Sequence, residues 1–134
     1  MIYAKTKTST LTKKQIKKIV KKSMSWCKSN LGENKRKQYK ISYVAGSFPF
    51  LEDSYGCYDQ FDNVVIVNID NCPTVGRLTS TIIHEYVHSL QPIRTQYAKS
   101  IQEHGYWNCP FEVEARFFEK KLNRYLLSDL RGMM

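Results

Sequence analysis

The stretch Thr81-Ile82-Ile83-His84-Glu85-Tyr86-Val87-His88-Ser89-Leu90 decides how the rest of the chain is read. Its centre has the form H-E-x-x-H. On an α-helix the two histidines stand four residues apart, about 6 Å along the axis and on one face. That spacing lets both imidazoles reach one Zn²⁺ at about 2.0–2.1 Å. Glu85 projects beside them, where it can hold a water at an open metal position. Val75, Leu78, Ile82, Ile83, Tyr86, Val87 and Leu90 are apolar at helical spacing, which predicts a helix over residues 74–91. A buried helix carrying two histidines by coincidence is the competing reading, and the apolar setting of the motif favours the metal.

Outward from this helix, Asn71-Cys72-Pro73-Thr74 breaks the preceding structure, and Pro92 stops the helix at its far end. Upstream, Tyr55-Gly56-Cys57-Tyr58 and Val64-Val65-Ile66-Val67-Asn68-Ile69 flank a polar turn and predict a β-hairpin. Tyr39 to Val44 alternates like a half-buried strand, and Gly46 to Ser54 reads as a loop exposing Phe48 and Phe50. Together these segments predict a sheet over residues 38–69. Residues 1–12 read as a short, flexible polar lead. Thr12 and Gln15 form a capping box before a helix over 13–31, with an apolar stripe of Ile16, Ile19, Val20, Met24, Cys27 and Leu31. Gly32 suits its C-cap. Downstream, residues 93–108 predict an irregular or short helical connection. Pro110 starts a last helix over 110–130, with Gly132 just past its end.

A catalytic zinc takes three protein ligands and a water. Glu112, in the first turn of the last helix, is the leading candidate, and Ala115 one turn on lets two helices approach closely. A surface ion pair of Glu112 with Arg116 is the alternative. Glu114 lies about 200° around the helix from Glu112 and is expected to face solvent. His104 comes 16 residues after His88 and is a rival third ligand.

The motif helix, succeeded by a helix reading Pro110-Phe111-Glu112-Val113-Glu114-Ala115, resembles the gluzincin-type zinc metallopeptidases. It is similar to their smallest members, including phage-encoded peptidases of similar length. Glu112, Ala115 and Phe118 match the E-x-x-A-x-x-F arrangement of the ImmA/IrrE-type peptidases, and the hairpin at 55–69 resembles the one that rims their cleft. The resemblance covers roughly residues 55–125. It implies a minimal zincin-like α+β domain with a small, mostly antiparallel sheet. It also implies Glu112 as third ligand and Glu85 as general base. His104-Gly105-Tyr106-Trp107 is instead similar to a segment of SprT-like proteases in which such a histidine ligates the metal.

The expected activity is zinc-dependent hydrolysis of peptide bonds in a peptide or protein substrate lying along an exposed strand, 64–69. His104, Tyr106 and Tyr97 are candidate donors to the developing oxyanion. The second class is a non-catalytic adaptor in which zinc is structural, although such a site has no need of Glu85.

Composition bounds these readings. The 134 residues suffice for one domain. Of the 21 basic and 12 acidic residues, 13 basic and one acidic fall in residues 1–40; that segment carries +12 and the remainder −3. The lysine face of the first helix predicts a solvated surface, with weak affinity for nucleic acid or another polyanion as the sharper alternative. No apolar run approaches a membrane span and the N-terminus has no apolar signal core, so a cytoplasmic protein without membrane contact is expected. The four cysteines are widely spaced and are expected as free thiols.

Overall fold

The computed structural model describes residues 2–133, apart from the side chains of residues 93–95. Helix α1 spans Lys13–Leu31 and begins where the capping box predicts. The Gln15 amide donates to Thr12 Oγ1 at 3.1 Å, and the Thr12 amide donates to Gln15 Oε1 at 2.8 Å. Gly32 ends the helix with φ 79°, a left-handed conformation that glycine adopts without Cβ strain. Ile19, Val20, Met24 and Cys27 are buried; Trp26 joins them and donates from Nε1 to Asp129 Oδ2 at 2.7 Å. Lys13, Lys14, Lys17, Lys18, Lys21 and Lys28 are exposed.

The sheet has strands β1 (Ser42–Gly46), β2 (Gly56–Asp59) and β3 (Val64–Asn68), in the order β1-β3-β2. The predicted hairpin is present, with β2 antiparallel to β3. The third strand corrects the expectation of a mostly antiparallel sheet: β1 pairs with β3 in parallel, so the sheet is mixed. The chain leaves β1, forms β2 on the far side and returns through the middle. Consequently β3 has both edges occupied and is not an exposed strand. Val65 and Val67 on its inner face are fully buried, as a central strand requires.

Helix α2 (Val75–Leu90) packs against the inner face of this sheet and against α1. The Thr74 side chain caps it, accepting from the Arg77 amide at 3.1 Å. Leu78, Ile82, Ile83 and Tyr86 have no exposed surface. Each such side chain contributes on the order of 1.5–3 kcal/mol on burial. Residues 93–108, expected as an irregular connection, form α3 (Ile93–Asn108), interrupted at Gly105 with φ 77°. Helix α4 (Pro110–Met133) starts at the predicted proline and carries Gly132 inside its last turn rather than beyond it. Its buried residues include Glu112, Ala115, Leu126 and Leu130, and it lies along α2. The fully buried Ala115 permits that approach.

The lead lies against the start of α2. The Val75 amide donates to Thr6 O and the Gly76 amide to Ala4 O, each at 2.9 Å, and Thr8 is buried. All four cysteines are free, as expected. Burial pushes the Cys27 thiol up to about 12 and the Cys72 thiol to about 11, so neither offers a thiolate at neutral pH.

Gly56 sets the distance between sheet and motif helix. A Cβ there would lie 2.4 Å from the Ile66 carbonyl oxygen and 3.1 Å from Thr81 Cγ2. Gly56→Ala should therefore cost about 1–3 kcal/mol, as overpacking does. A urea unfolding curve should show a lower midpoint with an unchanged slope. An unshifted midpoint would mean that this contact does not constrain the packing.

Candidate metal centre

The helical rise brings His84, Glu85 and His88 together on the side of α2 that faces α4. One ligand atom from each lies within 4.8 Å of the others, and among the described residues this group could hold a metal ion. Glu112 meets them from the first turn of α4. Its Oε1 is 2.9 Å from His84 Nε2 and its Oε2 is 2.9 Å from His88 Nε2. Glu112 is 1 % exposed, so its carboxylate is committed to this interior cluster and not to a surface pair. Arg116, the alternative partner, instead donates to the Trp107 carbonyl and lies over the Trp107 ring, 3.9 Å from its centroid.

The remaining ring nitrogens are also held. His84 Nδ1 donates to Glu119 Oε1 at 3.0 Å, and Arg77 approaches the other oxygen of Glu119 at 3.7 Å. His88 Nδ1 donates to Gln91 Oε1 at 2.6 Å. The Gln91 amide in turn donates to Phe111 O and Glu114 Oε1, both at 2.9 Å, tying the end of α2 to the start of α4. Glu114 is exposed but partnered, where a purely solvent-facing charge was expected. Tyr97 on α3 donates to Glu112 Oε2 at 2.5 Å. Histidines held through one ring nitrogen present the other in a fixed direction, the arrangement metal-binding imidazoles use.

These contacts set the protonation of the cluster. Burial opposes a charge on His84, but hydrogen bonds to Glu112 and Glu119 outweigh it and push the imidazole up to about 10. His88 is raised in the same way, burial being outweighed by Glu112. Burial alone would raise Glu112; the two histidines and Tyr97 hold it well below the usual carboxylate range instead. Glu85 goes the other way: burial raises it, and the neighbouring carboxylates add to this against the two histidines.

Beside the cluster lies an open cleft of about 810 Å³, walled by Tyr55, Gly56, Thr81, His84, Glu85 and Tyr106, among others. Tyr106 also lines the cleft; it is 58 % exposed, and partial burial of its hydroxyl together with the charges of Glu112 and Glu85 pushes it up to about 12. His104 is elsewhere. Its ring is about half exposed, it pairs with Glu103 at 3.9 Å, and it does not line the cleft. The turn at Gly105 lies between the two: Tyr106 lines the cleft and His104 does not. Of the residues singled out in the sequence, the structure thus gathers His84, Glu85, His88, Glu112, Tyr97 and Tyr106, and leaves His104 outside.

Glu119 and Gln91 are site residues that the sequence reading missed. Glu119 lies seven residues after Glu112, two turns along the same face of α4, and that spacing was the available signal. For Gln91 there was none. Glu119→Gln should keep the fold and lower metal affinity about 10–100-fold, the usual cost of losing such an orienting partner. Competition with a chromophoric chelator would measure it, and unchanged affinity would exclude an orienting role.

The chain matches no protein-family model, none of the curated proteins and no solved structure.

Proposed function

We propose that the chain is a zinc-dependent peptidase of the H-E-x-x-H type, with His84, His88 and Glu112 as the metal ligands. The observation that carries this reading is the meeting of Glu112 with both Nε2 atoms at 2.9 Å, while Glu119 and Gln91 fix the opposite nitrogens. Two imidazoles and one carboxylate, with His84 and Glu85 lining a cleft, are a donor set typical of catalytic zinc. Zinc held there would lower the pKa of a water and polarise a substrate carbonyl.

The chain's own groups supply the rest. Glu85, with its affinity for protons raised by burial, is the general base that takes the water's proton and returns it to the leaving amine. Tyr97 is engaged with Glu112 and orients that ligand. Tyr106, on the cleft wall, is then the candidate donor to the developing oxyanion. His104 has no part in this reading. The substrate backbone pairs with the outer edge of β2 beside the cleft, which no other strand among the described residues occupies, since β3 is flanked on both sides. An adaptor with a purely structural metal would gain nothing from a buried glutamate beside two imidazoles and an open cleft.

Incubation of the zinc-loaded protein with an unfolded polypeptide should yield new amino termini, and a chelator should stop their appearance. Peptide hydrolysis that persists after complete metal removal would overturn the reading, as would none with full zinc occupancy.

A further inference from the structure

A second concave region lies at the other end of α2. An open groove of about 670 Å³ is lined by the loop from Glu33 to Tyr39, by Gln60, Phe61 and Asn63 of the β2–β3 turn, and by Leu90 to Pro92. Next to it a smaller hollow of about 280 Å³ shares Tyr39 and Asn63 and adds Lys40. Local geometry fixes both banks. Tyr86 Oη donates to the Gly32 carbonyl at 2.5 Å, anchoring the start of the loop to α2. An Asn34-led turn, with the Arg36 amide donating to Asn34 Oδ1 at 3.1 Å, sets Lys35 and Arg36 on the exposed outer side. Buried Asn63, with φ 58°, donates to the Tyr39 carbonyl at 2.8 Å and accepts from Tyr58 Oη at 2.5 Å. One side chain thereby clamps the loop bearing Tyr39 to the turn bearing Phe61.

The chemistry of the surface is specific. Lys35, Arg36, Lys37 and Lys40 line the two hollows with one acid, Glu33, and belong to the segment that carries +12, while Asp59 and Asp62 flank Phe61 in the turn. Two aromatic rings stand among these cations: Tyr39 is 51 % exposed and Phe61 66 % exposed. The outer face of α1 has lysines but no such rings. Cations that track a phosphate backbone, combined with exposed rings on which bases stack, are the means by which proteins hold single strands without reading sequence. We propose that this groove binds single-stranded nucleic acid, with Lys35, Arg36 and Lys40 on phosphates and Tyr39 and Phe61 stacked on bases. A duplex keeps its bases stacked away from such rings. An acidic peptide would use the cations but offer the rings no planar partners. The proposal stands apart from the peptidase reading and does not depend on it.

The test is fluorescence anisotropy of a labelled oligothymidine of about 20 nucleotides, with salt raised from about 50 to 200 mM. The expected result is binding at low salt, tighter than to a duplex of equal length or to polyglutamate. The double variant Tyr39→Ala/Phe61→Ala should weaken it at least about tenfold without changing the salt slope. Tyr39→Phe alone, which keeps the stacking face, should bind like the parent. Lys35→Gln/Arg36→Gln should flatten the slope of log K against log salt by about 1.4, two phosphate contacts at about 0.7 each. All these side chains are exposed, and the circular dichroism spectrum of the same preparations reports the fold independently of the metal site. No binding at low salt would overturn the proposal. So would equal affinity for the duplex or polyglutamate, or an aromatic double variant that binds like the parent.

Discussion

Glu112→Gln is expected to fold and to lose its metal. The amide has nearly the same volume as the carboxyl and still offers an oxygen and an N–H group to the two imidazoles, so the interface between α2 and α4 can persist. What it removes is the negative charge that faces both Nε2 atoms at 2.9 Å. A neutral amide is a far weaker zinc ligand, and the loss in affinity should exceed the roughly 10–100-fold that losing an orienting partner costs. The circular dichroism spectrum should match the parent's, and the zinc content after dialysis should fall close to zero. His104→Ala is the matched control: its side chain is half exposed and points away, so zinc content should not change. If the two results were exchanged, the third ligand would have been misassigned.

The same geometry gives metal binding a pH dependence of definite sign. In the metal-free protein the His84 imidazole is pushed up from 6.5 to about 10, so between those values it carries a proton that a metal must displace. Zinc uptake should therefore release protons at neutral pH. Affinity should rise with pH by about tenfold per unit for each proton displaced, up to near 10. Flat affinity between pH 6.5 and 9 would contradict this protonation pattern.

Glu85→Gln carries the second large effect. Glu85 lies within 4.8 Å of the histidine nitrogens but makes none of the contacts that hold Glu112 in place. The variant should keep zinc and fold, while peptide hydrolysis falls by about 10²–10⁴-fold, the usual contribution of a general base. Turnover equal to the parent's would remove Glu85 from the mechanism. A loss of metal in this variant would make it a ligand rather than a base.

Local signals made much of the fold legible. The Thr12–Gln15 capping box, the positive φ required at Gly32, the break before Thr74 and Pro110 at the head of α4 each act within a few residues. Pairing across the chain was less legible. Nothing in Tyr39 to Val44 says that this segment will run parallel to β3, and that pairing displaces β3 from the edge to the middle. The register also moved, to Ser42–Gly46, with Ile41 buried just before the strand. Residues 93–108 carry too weak an apolar periodicity to declare a helix, and the turn at Gly105 hides the rest. At the site, spacing on one helix fixed His84, Glu85 and His88. Glu112 needed the resemblance as well, because its partners lie on another helix. The roles of Glu119 and Gln91 exist only once α2 and α4 are packed.

In the proposed site, His84, His88 and Glu112 would hold one zinc ion. The most direct measurement is elemental analysis of the purified parent chain and of His88→Ala, prepared side by side and dialysed against buffer with trace zinc. The expected result is close to one zinc per parent chain and almost none in the variant. Stoichiometric zinc in both, or none in the parent, would contradict it.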